Sequence, residues 1–228
     1  MDTKRARVTE INEELKDLTR LWVQKNDIDF SHAANLRQEA ILLNHGRYLE
    51  QVPVYRRLAE SAGIGETTTL EVIETELMST DDMFKSYDPA WLDAGAFDEL
   101  TKWLRSIYTE EIEADLSGVS TIEGWIGRLG EQHVNVVYSS GTSGRFSFIP
   151  KDDQTLDAYL HNGLFAILQF LLEHEMDLSE YDLAVLGFKG GGMGLQRAGA
   201  EFSKYSHRSA FLYDFVLEAD IVRYLTRG

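Results

Sequence analysis

The feature that most constrains this chain is a change of rhythm near residue 130. Before it, apolar residues recur every three or four positions, the period of one helix face. Val8, Ile11, Leu15, Leu18 and Trp22 predict an amphipathic helix over 8–25. Ser31 can cap a second over 32–50, with Leu36, Ala40, Leu43 and Tyr48 on its apolar side. Pro53 can start a short helix that Gly63 ends. Residues 64–96 read as irregular, with a short helix around 69–78. Helical spacing returns at Phe97, Leu100, Leu104 and Ile107, and Thr121 can cap a helix through Leu129.

After residue 130 the apolar residues gather into short β-rich runs separated by helical stretches. VNVVY and FSFI read as strands. Asp152 or Asp153 caps a long helix to about His174, with Leu156, Leu160, Leu164, Ile167 and Leu171 inward. DLAVLGF, residues 182–188, is a continuous apolar run of the kind buried on both faces. A helix over 195–205, the strand SAFLYDF and a helix from Glu218 follow. Strands alternating with helices predict an α/β fold with a mostly parallel sheet. The expectation is one domain over 1–228, mainly helical over 1–130 and α/β over 131–228. Three or four strands leave sheet edges exposed, so self-association, or a chain that is the front part of a larger protein, is expected.

Composition narrows the function classes. The 228 residues are 43% hydrophobic with a net charge of −16. Residues 60–131 hold seventeen Asp and Glu against four Lys and Arg, a solvated acidic face that disfavours nucleic acid and anionic lipid. Cys is absent, which removes disulfides and thiolate metal sites. The six His form no metal-ligand pattern, and no apolar stretch suffices to span a bilayer. No metal site is expected in the protein, and a cytoplasmic location is.

Two glycine-rich segments carry the candidate chemistry. Ser139, Ser140, Gly141, Thr142, Ser143 and Gly144 sit between the two strand-like runs. Small residues let backbone N–H groups converge on an anion, the hydroxyls add donors, and Arg145 and Lys151 add positive charge. The pattern is neither a Walker A loop nor a dinucleotide fingerprint. Composition alone leaves a structural turn and an anion-binding loop both open. The second segment is Phe188, Lys189, Gly190, Gly191, Gly192, Met193 and Gly194. No nucleophile elbow or acid/base pair is evident, and no residue is assigned a catalytic role.

S-S-G-T-S-G followed by a strand resembles the phosphate-binding motif of the adenylate-forming superfamily. LGFKGGGMGL, continuing to GAE at 199–201, is similar to a glycine-rich segment of phenylacetate–CoA ligases. VPVYRRLAESAGI at 52–64 resembles those enzymes' VPFYRR…AGI helix. MFKSY at 83–87 is closer to the acyl-protein synthetase branch, which activates long-chain fatty acids for bioluminescence. The resemblance spans residues 50–200. It implies the N-terminal part of an enzyme that uses ATP and Mg²⁺ to convert a small-molecule carboxylic acid into an acyl-adenylate. A thiol on CoA or on a carrier or acceptor protein, or another nucleophile, would then take the acyl group. Residues 139–144, with Arg145 and Lys151, would hold the phosphates, and 188–194 would shape the acyl or adenylate pocket. The family's x-P-K after the loop is replaced by Arg145-Phe146-Ser147. No Y-G-x-T-E-like motif, ribose-binding acid or late catalytic Lys follows. A non-catalytic nucleotide- or acyl-binding module that keeps the fold is therefore the alternative, and a scaffold using the acidic helical half is a third reading.

Overall fold

The computed structural model describes residues 3–25, 27–77, 81–139 and 145–226. They form a mixed α/β chain, mostly helical with few strands. The chain divides into two compact units: Met1–Tyr87 with Asp98–Glu113, and Asp88–Phe97 with Ala114–Gly228.

The first unit is helical. α1 (Thr3–Lys25) packs on α2 (Phe30–Gln51) through Ile11, Leu36 and Ala40, with Leu15, Leu18 and Leu43 beside them. The expected cap Ser31 is replaced by Asp29, whose carboxylate accepts the His32 N–H at 2.9 Å. A carboxylate beside the positive helix end gains charge attraction that a hydroxyl lacks. α3 (Pro53–Ser61) and α4 (Leu70–Glu76) close a second core of Val52, Tyr55, Ala59, Ile73 and Leu77. Gly63 follows α3 in the left-handed region, as its placement predicts. His45, 2% exposed, lies between the Tyr55 hydroxyl (2.8 Å, Nδ1) and the Gly65 carbonyl (2.9 Å, Nε2). The carbonyl requires Nε2 to donate, and the Tyr55 hydroxyl can pair with Nδ1, so both ring nitrogens are satisfied within the core.

The second unit opens with α5 (Pro89–Ala94). α6 (Phe97–Arg105) begins in it and continues in the first unit. α7 (Ile122–Gly130) then leads into β1 (Asn135–Ser139) and β2 (Ser147–Lys151). Thr121 caps α7, accepting the Gly124 N–H at 3.0 Å. β1 and β2 pair antiparallel, with Ser139 opposite Ser147 and Asn135 opposite Lys151. Seven residues join them, too few for the crossover a parallel pair needs. Val136, Tyr138 and Phe148 face the core at 1% exposure or less. The ring of Phe148 meets Trp125 edge-on at 5.2 Å, and Trp125 stacks on Phe97 at 6.1 Å.

α8 (Asp153–Glu173) is started by Asp152, whose side chain accepts the Thr155 N–H at 2.7 Å. Asp153 instead binds Asn135 and His133. Leu164 of α8 is buried as expected, while Ile167 is 39% exposed. β3 (Asp182–Gly191), α9 (Gly194–Phe202) and β4 (Arg208–Leu217) form a βαβ unit in which β3 and β4 pair parallel. Among the described residues the expected mostly parallel sheet is present as this single parallel pair, with an antiparallel hairpin as a separate two-stranded sheet. β3 is not buried on both faces: none of its residues is fully buried, and Leu186 is 86% exposed. α9 covers one side of a sheet only two strands wide, so apolar composition outruns the available cover. α10 (Ala219–Thr226) follows β4.

Candidate functional site

The carboxyl ends of β1, β3 and β4 come together, each followed by a loop or a helix start. That end of a sheet is where open α/β proteins hold ligands, because helix N-termini and loop N–H groups gather there. β1 and β3 touch through a parallel bridge between Tyr138 and Met193. The Tyr138 N–H donates to the Gly192 carbonyl at 3.2 Å. Tyr138, just before the first glycine-rich segment, therefore meets the second, some fifty residues on.

Glycine is required for that meeting. A Cβ on Gly192 would overlap the Tyr138 ring. Gly191 has φ +146, and a Cβ there would overlap the Gln196 side chain and lie 2.6 Å from the Leu217 carbonyl oxygen. The composition of this segment is explained by backbone closing on side chains from β1, β4 and α9. Gln196, 6% exposed, accepts the Met193 N–H at 3.2 Å and so closes the start of α9.

Tyr138 is the hub. Its hydroxyl lies 3.4 Å from the Leu217 carbonyl and 3.5 Å from Glu123 Oε1. Burial, followed by the Glu123 charge, pushes its phenol above the ordinary range. Glu123 is half-buried, and burial, helped by the neighbouring Asp220 and Glu218 charges, raises its carboxyl. Its Oε2 accepts the Ala219 N–H at 2.8 Å, closing the start of α10. Asp220 returns the favour in space, accepting the Ile122 N–H at 2.9 Å at the start of α7. Each helix thus receives a carboxylate from the first turn of the other. Arg197 of α9 donates to the Val136 carbonyl at 3.0 Å, and its burial lowers the guanidinium below its usual range.

The predicted site residues distribute unevenly. Ser139 ends β1 and is exposed; Arg145, half-buried, precedes β2. Ser140, Gly141, Thr142, Ser143 and Gly144 lie outside the described residues. Lys151 is set away from Ser139. It pairs with Asn135 at the other end of the hairpin, roughly 13 Å along β1 from Ser139. Its ammonium sits 4.9 Å over the Tyr159 ring, and burial lowers it. Lys189, Gly190 and Gly191 belong to β3 rather than to a loop, and Lys189 pairs with Asp214 at 2.7 Å. Phe188 stacks on Tyr213 at 4.7 Å and meets Phe215 at 5.3 Å. Met193 and Gly194 stay at the convergence, where a Cβ on Gly194 would overlap the Tyr159 hydroxyl.

Sequence reasoning passed over Glu123, Tyr138 and Gln196. Glu123 shows only as an acid in a helix first turn, Tyr138 as one more strand aromatic. Gln196 carried a usable signal, standing three residues after Met193 where a capping partner belongs.

The comparisons add no relative. No protein-family model, curated protein or solved structure matches this chain. Among the described residues no helix is long and apolar enough to cross a membrane.

Proposed function

We propose that this chain takes part in ATP-dependent activation of a carboxylic acid. A carboxylate oxygen attacks the α-phosphorus of ATP, the bond to pyrophosphate breaks, and an acyl-adenylate forms. A thiol or other acceptor then attacks the acyl carbon and AMP leaves. What supports the reading is one observation: the end of β1 that carries Ser139 meets the Gly192 end of β3 through the Tyr138–Gly192 hydrogen bond. A phosphate loop and an acyl-side segment have to adjoin in this way if one substrate is to touch both.

A second feature agrees. Antiparallel neighbours can be joined by two residues, and this hairpin uses seven, five of them hydroxyl-bearing or glycine in the run Ser140-Gly141-Thr142-Ser143-Gly144. In this reading residues 139–144 and Arg145 hold the phosphates, and Lys151 has no part in it. Among the described residues no three His, Cys, Asp or Glu side chains converge on a metal position. Mg²⁺ would accordingly be carried on the nucleotide phosphates, supplying charge neutralisation there.

The test is calorimetric titration with ATP together with pyrophosphate exchange across a panel of carboxylic acids. Exchange with at least one acid, lost in Gly141→Val, is expected. ATP binding without exchange for any acid would overturn the enzyme reading in favour of a nucleotide-binding module. Absence of both would overturn the phosphate-loop assignment itself.

A further inference from the structure

β4 offers an open edge. Among the described residues it pairs with β3 alone. An unpaired strand edge is a row of N–H and C=O groups that another strand can take up, and natural edges are blunted by Pro, Lys or shortness. β4 is ten residues long, reads RSAFLYDFVL, and has neither Pro nor Lys. Leu212 is 61% exposed and Val216 55%. The strand carries two charges, Arg208 and Asp214, both exposed.

Those charges make the strand complementary to itself. If two β4 strands run antiparallel about a two-fold axis at Phe211, Arg208 of each stands opposite Asp214 of the other. Ser209 then faces Tyr213, and Ala210 faces Leu212. Within one copy Arg208 already donates to both carboxylate oxygens of its neighbour Asp182, at 3.1 and 2.7 Å, and Lys189 pairs with Asp214. Across four strands the row becomes Asp182, Arg208, Asp214 of the second copy, Lys189 of the second copy. The signs alternate without a break, and the two-fold axis generates a second such row. A register slipped by two residues faces Arg208 with Leu212 or Val216 instead.

We propose that two copies of this chain pair through β4 in this register, forming one four-stranded sheet. The contact is isologous, so it closes at two copies and does not propagate. Backbone hydrogen bonds and the exposed apolar residues of the edge supply the attraction. Exposed ion pairs contribute little each, so their role is to select the register. This inference stands apart from the proposed chemistry, and either can fail alone.

Sedimentation of the full chain tests it. A concentration-dependent dimer is expected; a monomer at every concentration overturns the proposal. Arg208→Glu makes positions 208 and 214 both acidic, and Asp214→Arg makes both basic. Each variant alone is expected to be monomeric, and an equal mixture of the two is expected to dimerise, because across the seam the new glutamate at position 208 of one variant then faces the new arginine at position 214 of the other, and the unchanged Asp214 faces the unchanged Arg208. Dimers from either variant alone, or a mixture that stays monomeric while both variants keep their native circular dichroism, overturn the register. Should either variant misfold, Phe211→Cys decides. The chain has no other Cys, so mild oxidation is expected to cross-link two copies at this position faster than at the exposed control Ser61→Cys. Equal rates overturn the two-fold centre.

Discussion

β1 and β2 bury Val136, Tyr138 and Phe148 almost completely, whereas β3 and β4 leave Leu186, Leu212, Tyr213, Phe215 and Val216 open. Both pairs are rich in apolar residues and, among the described residues, two strands wide. The hairpin lies with α7 on one side, where Trp125 meets Phe148, and α8 on the other, where Tyr159 meets Lys151. The parallel pair has α9 on one side, packed so closely that a Cβ on Gly199 would stand 3.1 Å from Val185. The difference teaches that strand composition sets the demand for cover, while the number of helices packed against it sets how much is met.

The comparison breaks most visibly at Trp125. Trp125→Ala should cost about 3–5 kcal/mol, because a fully buried indole leaves a cavity among Phe97 and Phe148. Denaturant unfolding followed by circular dichroism measures it, and a loss under about 1 kcal/mol would show that the hairpin side is not the tight one. Gly192→Ala comes next, at about 1–3 kcal/mol, since the new methyl overlaps the Tyr138 ring. Adding Tyr138→Leu should recover part of that loss if the collision is its cause.

Glu123→Gln sharpens the same boundary through pH. The folded carboxyl titrates above its unfolded value, so its stabilising contribution is present at low pH and is lost as pH rises through the folded value. The variant should therefore gain melting temperature relative to the parent at neutral pH, with the gap closing on acidification. A gap that widens toward acid would reverse the assigned sign. The smallest effect belongs to the open side: Leu186→Ser, 86% exposed, should change stability by less than about 0.5 kcal/mol.

Local signals were legible in the sequence, and cover was not. Thr121, Pro53 and Gly63 act through their own backbone neighbourhood, and each sits where its chemistry predicts. Asp29 took the cap expected of Ser31 because the two lie two residues apart and both are good caps. The exposure of β3 depends on how many elements pack against it, which no window of residues reports. The meeting of β1 with Gly192 was readable only as two separate glycine-rich segments. The far position of Lys151 follows from antiparallel pairing, and the expectation of parallel strands concealed it.

The exchange of carboxylates between α7 and α10 has a consequence for how the unit is made. Asp220 reaches the Ile122 N–H and Glu123 reaches the Ala219 N–H, groups almost a hundred residues apart. On the ribosome, α7 emerges well before α10; Thr121 can cap its Gly124 N–H at once, but the Ile122 N–H has only water as a partner until α10 arrives. The clasp cannot form stepwise along the chain, because each acid serves the other helix. The two helix starts are therefore completed in one event, once α10 has formed, and that event also fixes the floor under Tyr138.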